Sequence, residues 1–127
     1  RLVEVASGAV VREVEHGDIA RAVAFSHDGS FVATGNEDKK LRLVEVASGA
    51  VVREVEHHGG WVLAVAFNHD GSLVATGSWD NKLRLVDVAS GVVVREVEHE
   101  GPVSAVAFNH KGSLVATASW DKKLRLV

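Results

Sequence analysis

At 127 residues, 46% of them hydrophobic and 24% charged, the chain has the composition of one globular domain, which excludes a disordered or fibrous class. Its formal net charge of −3, with Lys and Arg scattered singly or in pairs, leaves no basic stripe to track phosphates, so nucleic acid is not an expected partner. No run nears the roughly 18 apolar residues of a membrane span, no charged-then-apolar leader opens the chain, and with no Cys there is neither disulfide nor thiolate, so no membrane is expected and the composition fits a reducing, cytoplasmic compartment.

In chain order, RLV (1–3) reads as the end of a strand, and AVVREVEH (9–16) as a strand that alternates Val with Arg and Glu. That alternation suits an outer strand with one solvated side, where charge discourages stray edge pairing. There follows AVAFSHDGSFVATGNEDKKLRLV (22–44), in which Asp28-Gly29 marks a hairpin turn because Gly supplies positive φ. The pattern then repeats. LVEVASGAVVREVEH (2–16) recurs unchanged at 43–57 and, with Asp87 and Val92 altered, at 85–99; the 22–44 segment recurs at 64–86 and 105–127. From Arg1 to Arg42, Arg84 and Arg125 the steps are 41, 42 and 41 residues. This period is that of a four-stranded propeller blade and not of a helical repeat. In the second copy the four strands are expected at 61–67, 73–78, 82–88 and 92–99, with turns at Asp70-Gly71 and Ala89-Ser90-Gly91. No stretch has a 3.6-residue apolar period, so no helix is placed. The expected fold is all-β, a single propeller segment over 1–127 with units of about 1–41, 42–83 and 84–124 and residues 125–127 starting another.

The quoted segments, with a histidine ahead of each AVAF, resemble the WD-repeat β-propeller family along the whole chain. The resemblance implies a structural hydrogen-bond network in each blade, carried by His16, Thr34 and Asp38, by His58, Thr76 and Asp80, and by His99, Thr117 and Asp121. The chain departs from the family at Val44, Val86 and Val127, which stand where a network Trp is expected, and at Glu15 and Glu98, which replace the usual Gly before the His. Trp to Val forfeits about 100 Å² of apolar burial, on the order of 2 kcal/mol per blade. Because every copy shares the change, the unit was multiplied after it arose or was engineered with it.

Propellers protect their edges by closing a ring of typically four to eight blades. The last unit lacks an outer strand and the strand at 9–16 lacks a blade, so residues 9–16 of one chain are expected to complete the last blade of a neighbour. A six-blade dimer or a nine-blade trimer satisfies the count; the alternative is a fragment of a longer array, whose further blades would cover the same surfaces. The resemblance also implies that one face binds peptides or proteins, and the copies differ there, which makes Arg21, Glu37, Trp61, Trp79 and Trp120 the candidate partner-binding residues. His27, His69 and His110 recur in the hairpin turn and read as solvated turn residues, with no metal or other cofactor expected. There is no Gly-rich phosphate loop and no GxSxG, and the repeated outer-strand carboxylates Glu13, Glu15, Glu54, Glu56, Glu96 and Glu98 read as edge-solubilising charges, so no catalytic residue is assigned.

Overall fold

In the hairpin turns Gly29, Gly71 and Gly112 take φ of 75°, 76° and 72°, the left-handed region that an L side chain resists. Asp28 Oδ1 accepts from the Ser30 N–H (3.0 Å), and Asp70 Oδ1 accepts from the Ser72 N–H (2.9 Å), which fixes the reversal. Strand, turn and strand then repeat down the chain. The computed structural model describes residues 2–3, 7, 10–12, 19–56 and 59–127. A short pair, β1 (Leu2–Val3) and β2 (Val10–Arg12), comes first. The first blade is the antiparallel sheet β3 (Ala20–Phe25), β4 (Phe31–Asn36), β5 (Lys40–Glu45) and β6 (Val51–Glu56), in that order. The second is β7 (Val62–Phe67), β8 (Leu73–Ser78), β9 (Lys82–Asp87) and β10 (Val93–Glu98). The third holds three strands, β11 (Val103–Phe108), β12 (Val115–Ser119) and β13 (Leu124–Leu126). The four strands expected in the second copy fall within a residue of β7 to β10. No helix occurs among the described residues, and none is long and apolar enough to cross a membrane.

The blades stack face to face. Leu41, Leu43 and Val55 of the first blade meet Val62, Val65, Val74 and Val86 of the second, all buried, and Ala75 and Leu83 of the second meet Val115 of the third. Two glycines set how closely the blades approach. A Cβ added at Gly35 would lie 2.8 Å from the Val62 carbonyl oxygen, and one added at Gly77 would lie 2.6 Å from that of Val103. The chain therefore has Gly where the inner strand of the following blade passes over the second strand. Farther out, Arg53 Nη2 donates to the Ala89 carbonyl (2.6 Å) and Nη1 to that of Ser90 (3.2 Å), clamping the first blade to the last turn of the second.

The outward faces are different. On the first blade Val23 is 68% and Phe25 57% exposed, whereas Val65, the equivalent of Val23, is 8% exposed. On the third blade Leu124 is 72% and Leu126 66% exposed. Among the described residues nothing covers either face.

Candidate partner-binding face and blade network

The turn after the second strand is built on an aspartate. Asp38, Asp80 and Asp121 each accept through Oδ1 from the N–H two residues on, in Lys40 (3.2 Å), Lys82 (3.2 Å) and Lys123 (3.0 Å). The residue between them is forced to positive φ, 71° at Lys39, 73° at Asn81 and 68° at Lys122. Four residues after each Asp comes an Arg whose guanidinium returns to it. Arg84 donates from Nη1 to Asp80 Oδ1 (3.2 Å) and from Nη2 to Oδ2 (2.6 Å), while its Nε donates to Glu96 Oε1 on the outer strand (3.2 Å). Arg42 makes the same fork to Asp38 and reaches Glu54 at 3.4 Å. Arg84 is buried, and Thr76 lies directly opposite it across the sheet, as Thr34 lies opposite Arg42 and Thr117 opposite Arg125.

The third blade has half of this arrangement. Arg125 Nη2 donates to Asp121 Oδ2 (2.6 Å), but Nη1 is buried with no hydrogen-bond partner, and no glutamate faces Nε among the described residues. His99, buried at the start of this blade, lies with Nε2 2.8 Å from Thr117 Oγ1 and Nδ1 3.3 Å from the Val97 carbonyl. The structure thus brings His99 and Thr117 together and turns Asp121 toward Arg125. His16, His57 and His58 lie outside the described residues, so the placement of the other two network histidines does too.

These contacts set the charges. Burial pushes the Asp80 carboxyl upward, but the Arg84 fork, the Gly59 N–H at 2.9 Å and the Ser78 hydroxyl outweigh it and hold Asp80 far below the usual 3.8. Asp121 is lowered to about 2, chiefly by its hydrogen bond to Arg125. In the hairpin turn Asp28 is lowered to about 2 by the Ser30 N–H and the hydroxyls of Ser30 and Ser26. The Arg forks and the glutamates that pair with them are what reading the sequence missed. Glu54 and Glu96 stay exposed on the outer strand, 47% and 45%, and each also pairs with an Arg, while Lys40 and Lys82 approach the same two carboxylates at 3.5 Å. The available signal was the recurrence of Asp-x-x-x-Arg at 38/42, 80/84 and 121/125.

The candidate partner-binding residues converge at the end of the blades where the inner strands begin. Arg21 sits with its guanidinium carbon 4.7 Å from the Trp61 ring centre and pairs with Glu37 (Nε to Oε2, 2.6 Å). Trp61 and Trp79 have ring centres 5.9 Å apart, and Trp79 and Trp120 meet edge-on at 4.6 Å. The Trp79 N–H also donates to the Trp61 carbonyl (2.9 Å). Trp61, Trp79 and Trp120 remain 40%, 44% and 59% exposed, so a row of aromatic surface crosses the second and third blades, and Arg21 extends it onto the first. At the opposite end His27, His69 and His110 form a second row, with ring centres 4.0 and 4.8 Å apart. They rim a shallow depression of about 250 Å³ that Phe25, Phe67 and Phe108 also line. Among the described residues no group of three or more His, Asp or Glu is placed to hold a metal ion.

The three blade sheets agree with the comparison with known families. The model of the WD40 family, described as WD domain, G-beta repeat, matches three times, over residues 8–45, 49–87 and 91–127. No curated protein matches the chain. Repeats of this family build propeller scaffolds that serve as protein-interaction modules, and the matches cover nearly the whole chain. The chain belongs to the WD domain, G-beta repeat family.

Proposed function

We propose that the chain is a structural building block that joins copies of itself head to tail into a closed propeller, as a six-blade dimer or a nine-blade trimer, with residues 9–16 of one copy completing the third blade of another. One observation carries this reading: the apolar faces of the first and third blades are bare at Val23, Phe25, Leu124 and Leu126, while the equivalent residues between blades, among them Val65, Phe67, Leu83 and Leu85, are buried or partly buried. Bare apolar faces at both ends of a stack favour association, and a heterologous contact of this kind closes into a ring when its angle divides evenly. The network residues hold each blade in shape and have no catalytic role. Light scattering at micromolar concentration should return two or three times the chain mass of 13.5 kDa. A stable species of 13.5 kDa would overturn the reading.

The row of Arg21, Trp61, Trp79 and Trp120 favours a second reading, in which the assembled scaffold docks a peptide or protein on that end. Replacing the three Trp by Ala together should then leave the assembled mass unchanged while removing partner capture. A fall in the assembled mass would assign the row to packing between blades.

A further inference from the structure

The open ends differ from the internal junctions at two matched positions. At the internal junctions Gly35 faces Val62 and Gly77 faces Val103. The third member of the glycine series is Ala118, and the first member of the valine series is Ala20. Among near-identical copies, the enlarged residue is on the outward face of the last blade and the reduced one on the outward face of the first. A Cβ at Gly35 or Gly77 would lie 2.6 or 2.7 Å from the Cγ1 of the facing valine. Alanine has no Cγ1, so the space that the Ala118 methyl needs is the space that Ala20 leaves empty. The facing carbonyl must still retreat by several tenths of an ångström, which makes this junction slightly wider than the internal ones.

A second mismatch points the same way. Arg42 and Arg84 each have a glutamate of the outer strand on Nε, whereas Arg125 has none and keeps Nη1 buried without a partner. Of the three copies of REVE, 53–56 and 95–98 are built into the first two blades, which leaves 12–15 and its Glu13. Glu13 itself lies outside the described residues, but β2, just before it, is paired in the same register as β6 of the first blade. Leu2 opposite Arg12 and Val3 opposite Val10 repeat Leu43 opposite Arg53 and Val44 opposite Val51. Leu126 and Val127 of a second copy could therefore replace Leu2 and Val3 on β2.

We infer that the two open faces fit each other: the third blade of one copy seats on the first blade of a second copy, with Ala118 against Ala20 and the second copy's β2 added beside β13 as the fourth strand of that blade. This rests on the head-to-tail reading above and adds the residues that select a second copy as the occupant.

The test is a rescue, read as the dissociation constant of the assembly by sedimentation. Ala20→Val, at a site exposed in the single chain, should weaken assembly by about tenfold or more because Val meets the Ala118 methyl. Adding Ala118→Gly recreates the internal Gly and Val pair and should restore it. Should Ala20→Val perturb folding, a cross-link decides instead: with no native Cys, a chain bearing Ala118→Cys mixed with one bearing Ala20→Cys should form a disulfide-linked pair. If the wild type assembles but Ala20→Val and the cross-link both behave as unmatched surface sites, this inference falls and the head-to-tail reading stands. If the wild type is a monomer, the reading falls and takes the inference with it.

Discussion

Leu83 in the second blade and Leu124 in the third hold the same place in the third strand, yet Leu83 is 1% exposed and Leu124 72%. The strands around them, LVATGSWDNKLRLV and LVATASWDKKLRLV, are nearly the same. Local pattern is therefore enough to make a blade, and the difference between a core residue and a bare one is the presence of a following blade. Replacing each leucine by Ala should separate the two contributions. Leu83→Ala leaves a cavity in a closed core and should cost about 3 kcal/mol in urea unfolding. Leu124→Ala should cost less than about 0.5 kcal/mol at concentrations where the chain is monomeric. In an assembly Leu124→Ala should approach the cost of Leu83→Ala.

The arginines repeat the contrast on a polar scale. Arg84 is 3% exposed in its side chain and its fork satisfies Asp80, so Arg84→Ala leaves a largely buried carboxylate without its cation and should cost about 3 kcal/mol. Arg125, 26% exposed and with no glutamate on Nε among the described residues, should cost clearly less when replaced by Ala, because solvent screens its pair with Asp121. If the two substitutions cost the same, the outer-strand glutamate contributes nothing and the comparison fails.

Acid should act through the same carboxylates. Asp28 and Asp121 are held at about 2 in the folded chain against 3.8 otherwise. A depressed carboxyl contributes stability that is fully present above the unfolded value and is lost as pH falls through the folded one. Thermal unfolding followed from pH 5 to pH 2 should therefore show a falling midpoint that begins near 3.8. Asp121→Asn should flatten part of that fall, and a midpoint indifferent to pH over this range would exclude the aspartates as stabilising groups.

How far the sequence discloses this molecule depends on whether the cause is local. The strands and the glycine turns were legible because alternation and positive φ are properties of a few adjacent residues. The missing tryptophan was legible too, as Val44, Val86 and Val127, but not what stands near its place. Val86 is fully buried in the core between the first two blades, and on the same strand face the Arg two residues earlier takes the turn aspartate. The role of Arg84 was not legible, since its partners come from a turn and from the outer strand. The glycine and valine pairs across blades were hidden for the same reason. Gly35 and Val62 are adjacent only once two sheets stack, and their exchange for Ala118 and Ala20 then becomes meaningful.

The aromatic row gives the smallest effect and separates folding from recognition. Trp79 is the only one of the three that touches both of the others, at 5.9 and 4.6 Å, so it links the second blade to the third. Aromatic pairs contribute about 0.5–1.5 kcal/mol beyond their area, but Trp79 is 44% exposed and its N–H bond to the Trp61 carbonyl is made by the backbone, which substitution keeps. Trp79→Ala should therefore cost about 1 kcal/mol in urea unfolding. Trp120→Ala, losing one contact at a site 59% exposed, should cost about half as much. Costs of this size would leave most of the exposed indole surface free for a partner, as the second reading requires. A cost for Trp79→Ala comparable with that of Leu83→Ala would instead make the row part of the core between blades, and the face would lose its anchors.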